Sequence, residues 1–298
     1  MLSPHRWRPG GDLHDVLRRA ALIALWLAAP WVALNALAYY VGGGGVGMDG
    51  HAYWLAGRLD HPYGPAPRER DAFLYSPLFA QAMRPLAWLP WPAFCGLLML
   101  ACAAAYYWLC RPLPWRWRAP LLLLCVPELL IVNIYPLLAV SLVLALRYPE
   151  SLAFPALTKI TPGGVGLVWF AVRRQWTHLL RAAAAVVVLV GVSWLAEPGL
   201  WREWVLFLLH HDGDGGVDFA VRLVLAVGLT VVAARRDRRW LLAVAFYLAM
   251  PLAGLGLQSM VPLLAAVRLV RQPTGAGNED APAESTGALE RMTGIEPA

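Results

Sequence analysis

The sequence predicts an all-α membrane protein: a polytopic transmembrane helical bundle with broken or re-entrant helices and a long outer loop after the first helix. Three observations predict it. Of 298 residues, 59% are apolar and 15% charged, and mean hydropathy is +0.53, whereas a soluble domain carries about 45–50% apolar and about 25% charged residues. The apolar residues fall in blocks of roughly 12 to 25, the length scale of a bilayer crossing. Short arginine clusters separate the blocks. A soluble globular domain is excluded, and so is disorder over most of the length. The 15 Trp and 10 Tyr agree, because amphipathic rings collect at lipid interfaces.

The formal charge is +6 and the isoelectric point about 9.4. The basic residues stand at the ends of apolar blocks, where topology explains them and a nucleic-acid partner does not. Cys95, Cys102, Cys110 and Cys125 lie in or beside apolar stretches without CxxC or histidine pairing. They read as small core residues rather than metal ligands or a disulfide frame, and no metal or other cofactor is implied.

Residues 1–19, with His5, Arg6, Arg8, Arg18 and Arg19, read as a cytoplasmic N-terminal segment. The run from Ala20 to Val41 follows it and is long enough to span. No small-residue cleavage site follows, so this is an uncleaved first helix. Further clusters stand at Arg111 to Arg118, Arg147, Arg173 to Arg181, Arg235 to Arg239, and Arg268 with Arg271. The positive-inside rule puts all of them, and both termini, on the cytoplasmic side. Residues 20–271 then form the membrane domain. Its outer turning points are residues 42–90, Pro127–Asn133, Thr158–Gly164, Glu197–Asp218 and Gly254–Ser259. The arms Ala119–Pro127 and Ser151–Thr158 have fewer than about 12 residues, too few to cross. They should be broken or re-entrant. The length allows roughly eight to ten crossings and re-entrant arms. Residues 272–298, rich in Gly, Pro, Ala and Glu, read as a disordered tail.

The 42–90 loop holds most of the candidate chemistry. Gly42 to Gly45 follow a spanning helix rather than a strand and precede no Lys-Ser/Thr, so they read as a flexible exit and not a phosphate loop. Asp49 is the first acidic residue beyond the helix, with Tyr53 and Trp54 following at helical spacing. A carboxylate beside aromatic rings suits a sugar and general-base work; an N-cap role for Asp49 fits the same residues. Arg68 and Arg70 oppose the topological bias and suit a phosphate, or solvated pairing with Glu69 and Asp71. Phe73 to Phe79 reads as an amphipathic interface helix.

Asp49 with Tyr53-Trp54, then Pro62-Tyr63, Phe73-Leu74-Tyr75-Ser76-Pro77-Leu78-Phe79 and Pro85-Leu86-Ala87-Trp88-Leu89-Pro90, resembles glycosyltransferase family 87. Asn133 before an apolar helix stands where that family has a Gly-Gln-x-Asn turn. Thr158-Lys159-Ile160-Thr161-Pro162 followed by Arg173-Arg174-Gln175-Trp176 resembles its Lys-Thr-Pro hairpin and basic turn. The resemblance covers roughly residues 15 to 270. It implies a GT-C fold and a bacterial enzyme that transfers a hexose, mannose foremost, from a polyprenyl-phosphate donor. The acceptor would be a lipid or glycan at the outer face of the cytoplasmic membrane. It makes Asp49 the catalytic base and puts Lys159 near the lipid phosphate with Arg68 or Arg70. Tyr53, Trp54 and Tyr75 would line the groove, with Asn133 beside them.

The chain departs from that family's pattern in two places. Ile131-Val132 replace the Gly-Gln pair, and the usual Trp-x-His-Tyr stretch before the last helix reads Gly256-Leu257-Gln258-Ser259-Met260. Gln258 occupies that site, and His210 and His211, beside Asp212, Asp214 and Asp218, are candidates to supply the missing histidine. Their spacing lacks the glutamate that closes a Ca²⁺ loop. Two other classes fit the composition: a non-catalytic membrane scaffold, and a lipid or solute transporter built on broken helices.

Overall fold

The computed structural model describes residues 9–67, 69–210, 217–251 and 258–270, and all regular structure among them is helical, with no strand. The chain order is α1 (Pro9–Gly42), α2 (Met48–Ala56), α3 (Pro77–Ala87), α4 (Trp91–Cys110), α5 (Trp115–Leu124), α6 (Val126–Ile131) and α7 (Tyr135–Ala145). A 3-10 turn, Pro149–Leu152, leads into α8 (Ala153–Thr158), α9 (Ile160–Val172), α10 (Trp176–Ala196), α11 (Pro198–His210), α12 (Val217–Arg235) and α13 (Leu241–Leu248). A second 3-10 turn, Gln258–Leu264, precedes α14 (Ala265–Leu269). Arg68, His211, residues 212–216, the turning point from Gly254 to Leu257, the side chains of Gln258 and Ser259, and the tail 272–298 lie outside the described residues.

Four of the described helices are long and apolar enough to cross a bilayer: Asp15–Gly42 of α1, Trp91–Cys110, Trp176–Ala196 and Val217–Arg235. At 1.5 Å per residue, each covers the hydrocarbon thickness of about 30 Å. The first helix starts well before Ala20, the first residue of its apolar run, because Leu13, Val16 and Leu17 extend an exposed apolar stripe toward the N-terminus. Only 11% of the apolar window of α10 is buried, so Leu180, Val187 and Leu195 need lipid around them.

The remaining arms are broken, and proline chemistry accounts for the breaks. Pro127 and Pro136 occupy the first turns of α6 and α7, where a missing N–H is harmless, but neither can donate to the carbonyl four residues back, so the hydrogen-bond ladder of the preceding helix stops there. Val132 between them is left-handed at φ 61. Lys159 breaks α8 from α9 at φ −137. The stretch Phe73 to Phe79 departs from the expected interface helix: Phe73 to Ser76 are non-helical and α3 starts at Pro77. Pro77 keeps Ser76 extended, and Phe73, Tyr75 and Phe79 are buried rather than lipid-facing.

Two cores result. One fills the bundle between α4, α7, α9, α12, α13 and α14, with Leu138, Leu142, Phe170, Leu242 and Phe246 fully covered. All four cysteines are buried. The other is aromatic and belongs to the 42–90 segment: Tyr53, Tyr63, Phe73, Tyr75 and Phe79 pack with Phe94 and Phe207. This segment is tied to α10 and α11 by a bidentate Arg84–Glu197 pair, by Gln81 donating to the Ser193 carbonyl at 3.2 Å, and by His61 against Glu203 at 3.0 Å.

The arginine clusters meet one another. Arg173 pairs with Asp237 at 2.7 Å and Arg181 with Glu150 at 2.5 Å. Helix α9 runs from Lys159 at one end to Arg173 at the other, so this turning point and this arginine cluster stand about 20 Å apart.

The α8–α9 hairpin that presents Lys159 requires a bare backbone at Gly163, where a Cβ would lie 2.6 Å from the Ala156 Cα and 2.7 Å from its nitrogen. Gly163→Val should cost about 1–3 kcal/mol by overpacking, lowering the melting temperature of the purified protein by several degrees. Gly164→Ala, which meets nothing within 4 Å, should leave it unchanged or higher.

Candidate active site beneath the 42–90 loop

Asp49 is presented by a backbone that only glycine allows. Gly47 caps α2 at φ 78, and a Cβ there would stand 2.6 Å from the Trp91 ring and 2.9 Å from the Cys95 sulfur. Its N–H donates to the Leu130 carbonyl at 2.7 Å, fixing the start of α2 against α6. Gly47 is therefore the N-cap, not Asp49. Asp49 falls in the first turn instead, where the helix dipole favours a negative charge.

The carboxylate meets Asn133, whose Nδ2 donates to Asp49 Oδ2 at 2.7 Å. The amide has one possible orientation, because Asn133 Oδ1 accepts the Tyr135 N–H at 3.1 Å, leaving its NH₂ for the acid. The left-handed Val132, fully buried, makes the turn that swings Asn133 toward α2. Lys159 supplies the opposite charge that acts on Asp49. Its ammonium lies 5.1 Å from the Tyr75 ring centre and 5.6 Å from that of Tyr135, within cation–π range. Asp49 lies outside the four spans. Burial pushes its carboxyl above the usual range, and Lys159 and the Asn133 hydrogen bond oppose that rise.

These groups line a cavity of about 1090 Å³. Asp49, Tyr53, Tyr75, Asn133 and Lys159 form its floor and wall, and Arg70 stands at its rim, 84% exposed. Tyr39 and Tyr40, from the end of the first span, line it too. The wall is rigid: the Tyr53 and Tyr75 hydroxyls lie 3.0 Å apart, and the Tyr63 hydroxyl donates to the Tyr75 carbonyl at 2.9 Å. Thus residues from three turning points, 42–90, 127–133 and 158–164, converge on one cavity.

Two candidates lie elsewhere. Trp54 does not line the cavity; its Nε1 donates to the Leu89 carbonyl at 3.0 Å, and the Arg58 guanidinium covers its ring at 4.3 Å. His210 is exposed at the end of α11, its Nδ1 2.6 Å from the Leu206 carbonyl. Sequence reasoning missed three others. His51 and Asp71 line the cavity and lie 2.7 Å apart; a histidine two residues after Asp49 was the available signal. Glu128, 2% exposed with Oε2 lacking a hydrogen bond among the described residues, sits one turn before Asn133, whose N–H donates to its carbonyl at 3.2 Å. An acid inside an apolar arm was the signal there.

Replacing Gly47 by Ala should displace α2 from Trp91 and cost about 2–4 kcal/mol, strain and clash together. Gly44→Ala, equally left-handed at φ 69 but with open space around it, should cost about 1 kcal/mol. Thermal unfolding of the two variants measures the difference.

The family model of Glycosyltransferase family 87 matches residues 73–272, about two thirds of the 298 residues. No curated protein and no solved structure matches the chain. The matched stretch contains Tyr75, Asn133 and Lys159, and the fold brings Asp49 back onto them from outside it. With its spanning helices and this match, the chain belongs to glycosyltransferase family 87 and is a membrane glycosyltransferase.

Proposed function

We propose that the protein catalyses an inverting transfer of a hexose from a polyprenyl-phosphate donor to a lipid or glycan acceptor, at the outer face of a bacterial cytoplasmic membrane. Both termini are then inside, in keeping with the arginine clusters. Mannose as the sugar and a GT-C fold rest on the family resemblance. The observation that carries the reading is the Asp49–Asn133–Lys159 grouping at the floor of a cavity that reaches the end of the first span.

In this mechanism Asp49 takes the proton of the acceptor hydroxyl as its oxygen attacks the anomeric carbon. The bond from that carbon to the phosphate oxygen breaks, and its electron pair leaves with the lipid phosphate. A phosphate needs no acid to leave. Lys159 stands where the growing negative charge can be met in a low dielectric, and Arg70 offers a second cation at the rim. Asn133 is a positioning residue, since its amide holds the carboxylate. Tyr53 and Tyr75 wall the sugar site. The cavity's contact with Tyr39 and Tyr40 supports entry of a lipid donor from the bilayer side.

Asp49→Asn should lower transfer from labelled polyprenyl-phosphate mannose by about 10²–10⁴-fold with the melting temperature unchanged; equal rates would remove the base assignment. The pH profile carries a second signature. A base works ionised, so kcat/KM should hold above the Asp49 pKa and fall as pH drops through it. Because burial raises that pKa, the acid limb should lie above the ordinary aspartate value of about 4.

A further inference from the structure

His51 and Asp71 line the cavity but have no part in the reaction assigned above. His51 Nδ1 lies 2.7 Å from Asp71 Oδ1. With Nδ1 engaged by the Asp71 carboxylate, Nε2 is the ring's remaining polar atom. The ring is held from its other sides as well. Trp91 meets it edge-on at 4.9 Å and 89°, and Trp54 packs against it at 5.6 Å. Trp54 is itself pinned by Leu89 and Arg58. Asp71 adopts a left-handed φ of 63, a conformation of modest cost that asparagine and aspartate tolerate best. Held strain of this kind clusters at functional sites. The imidazole side chain nevertheless remains 29% exposed.

A phosphate's charge is met by Lys159 on the floor, and a sugar hydroxyl, which both donates and accepts, is the partner that fits a single ring nitrogen held beside an aromatic surface. We propose that His51 is a specificity-determining contact for the acceptor: Nε2 forms a hydrogen bond with a sugar hydroxyl beside the one that reacts, and Asp71 is its positioning residue. Trp91, which also lines the cavity, gives the sugar ring an apolar surface. The acceptor is then a carbohydrate rather than a plain lipid alcohol. This inference rests on the glycosyl-transfer reading, and its test separates the two.

The full chain in lipid nanodiscs is probed by saturation-transfer NMR with methyl α-glycosides of mannose, glucose and galactose. At least one should bind the unmutated protein. His51→Gln, which can still reach Asp71, should lose most of that signal at an unchanged melting temperature, and Asp71→Asn should lose part of it. Absence of any glycoside signal from the unmutated protein, or its persistence in His51→Gln, overturns the proposal. With the bound glycoside as acceptor and labelled polyprenyl-phosphate mannose as donor, His51→Gln should raise the acceptor KM about tenfold and leave kcat and the donor KM within about twofold. A change confined to the donor KM overturns it too. Should no protein turn over any donor while glycoside binding is still lost in His51→Gln, the sugar contact stands and the transfer reading falls.

Discussion

The hydrogen bond from Asn133 to Asp49 joins two parts of the chain 84 residues apart, and the site exists because of it. A buried carboxylate loses its water, a loss of several kcal/mol unless charge and hydrogen bonds replace it. Asn133 and Lys159 are the replacements. Each is delivered by a break in a helix rather than by a helix face, so the broken arms and the acid are parts of one arrangement. Without Val132 turning left-handed, Asn133 would continue a helix and miss α2. The interruption at Lys159 sets its ammonium where the charges of Asp49 and Glu128 act on it.

The aromatic core of the 42–90 segment gives this arrangement its rigidity. Tyr53 and Tyr75 serve twice: their rings pack with Phe73 and Phe79, and their faces and hydroxyls turn toward the cavity. A sugar site needs walls that do not rearrange as charge develops, and rings hydrogen-bonded to one another and to backbone meet that need. The Arg84–Glu197 pair and the Gln81 hydrogen bond anchor the segment on α10. The wall of the site is therefore fixed to one of the spanning helices.

The helical class was legible from hydropathy and charge spacing, because burying apolar surface in lipid leaves a one-dimensional trace. So were the turning points that carry Asp49, Asn133 and Lys159, since polar or Pro/Gly-broken points interrupt apolar blocks. Their convergence was not legible, as nothing in the local sequence says that three turns share one cavity. Local chemistry also misled. Asp49 suited an N-cap, yet Gly47 holds that place because Trp91 packs where a side chain would be. Phe73 to Phe79 suited an interface helix, yet Pro77 and the neighbouring rings draw it into an extended, buried path. His51 went unnoticed because its partner, Asp71, lies 20 residues on in a turn whose geometry sequence spacing does not reveal.

The close approach of Gly50 to Val132 has a consequence for divergence. A Cβ at Gly50 would stand 3.1 Å from both the Cβ and a γ-methyl of Val132, so a side chain at position 50 requires Val132 to give way or to be smaller. The two residues are coupled in the sense of a double-mutant cycle. Homologues that carry a side chain at position 50 should carry a smaller residue at 132, and a chain that gained the first without the second would hold its acid and its amide apart.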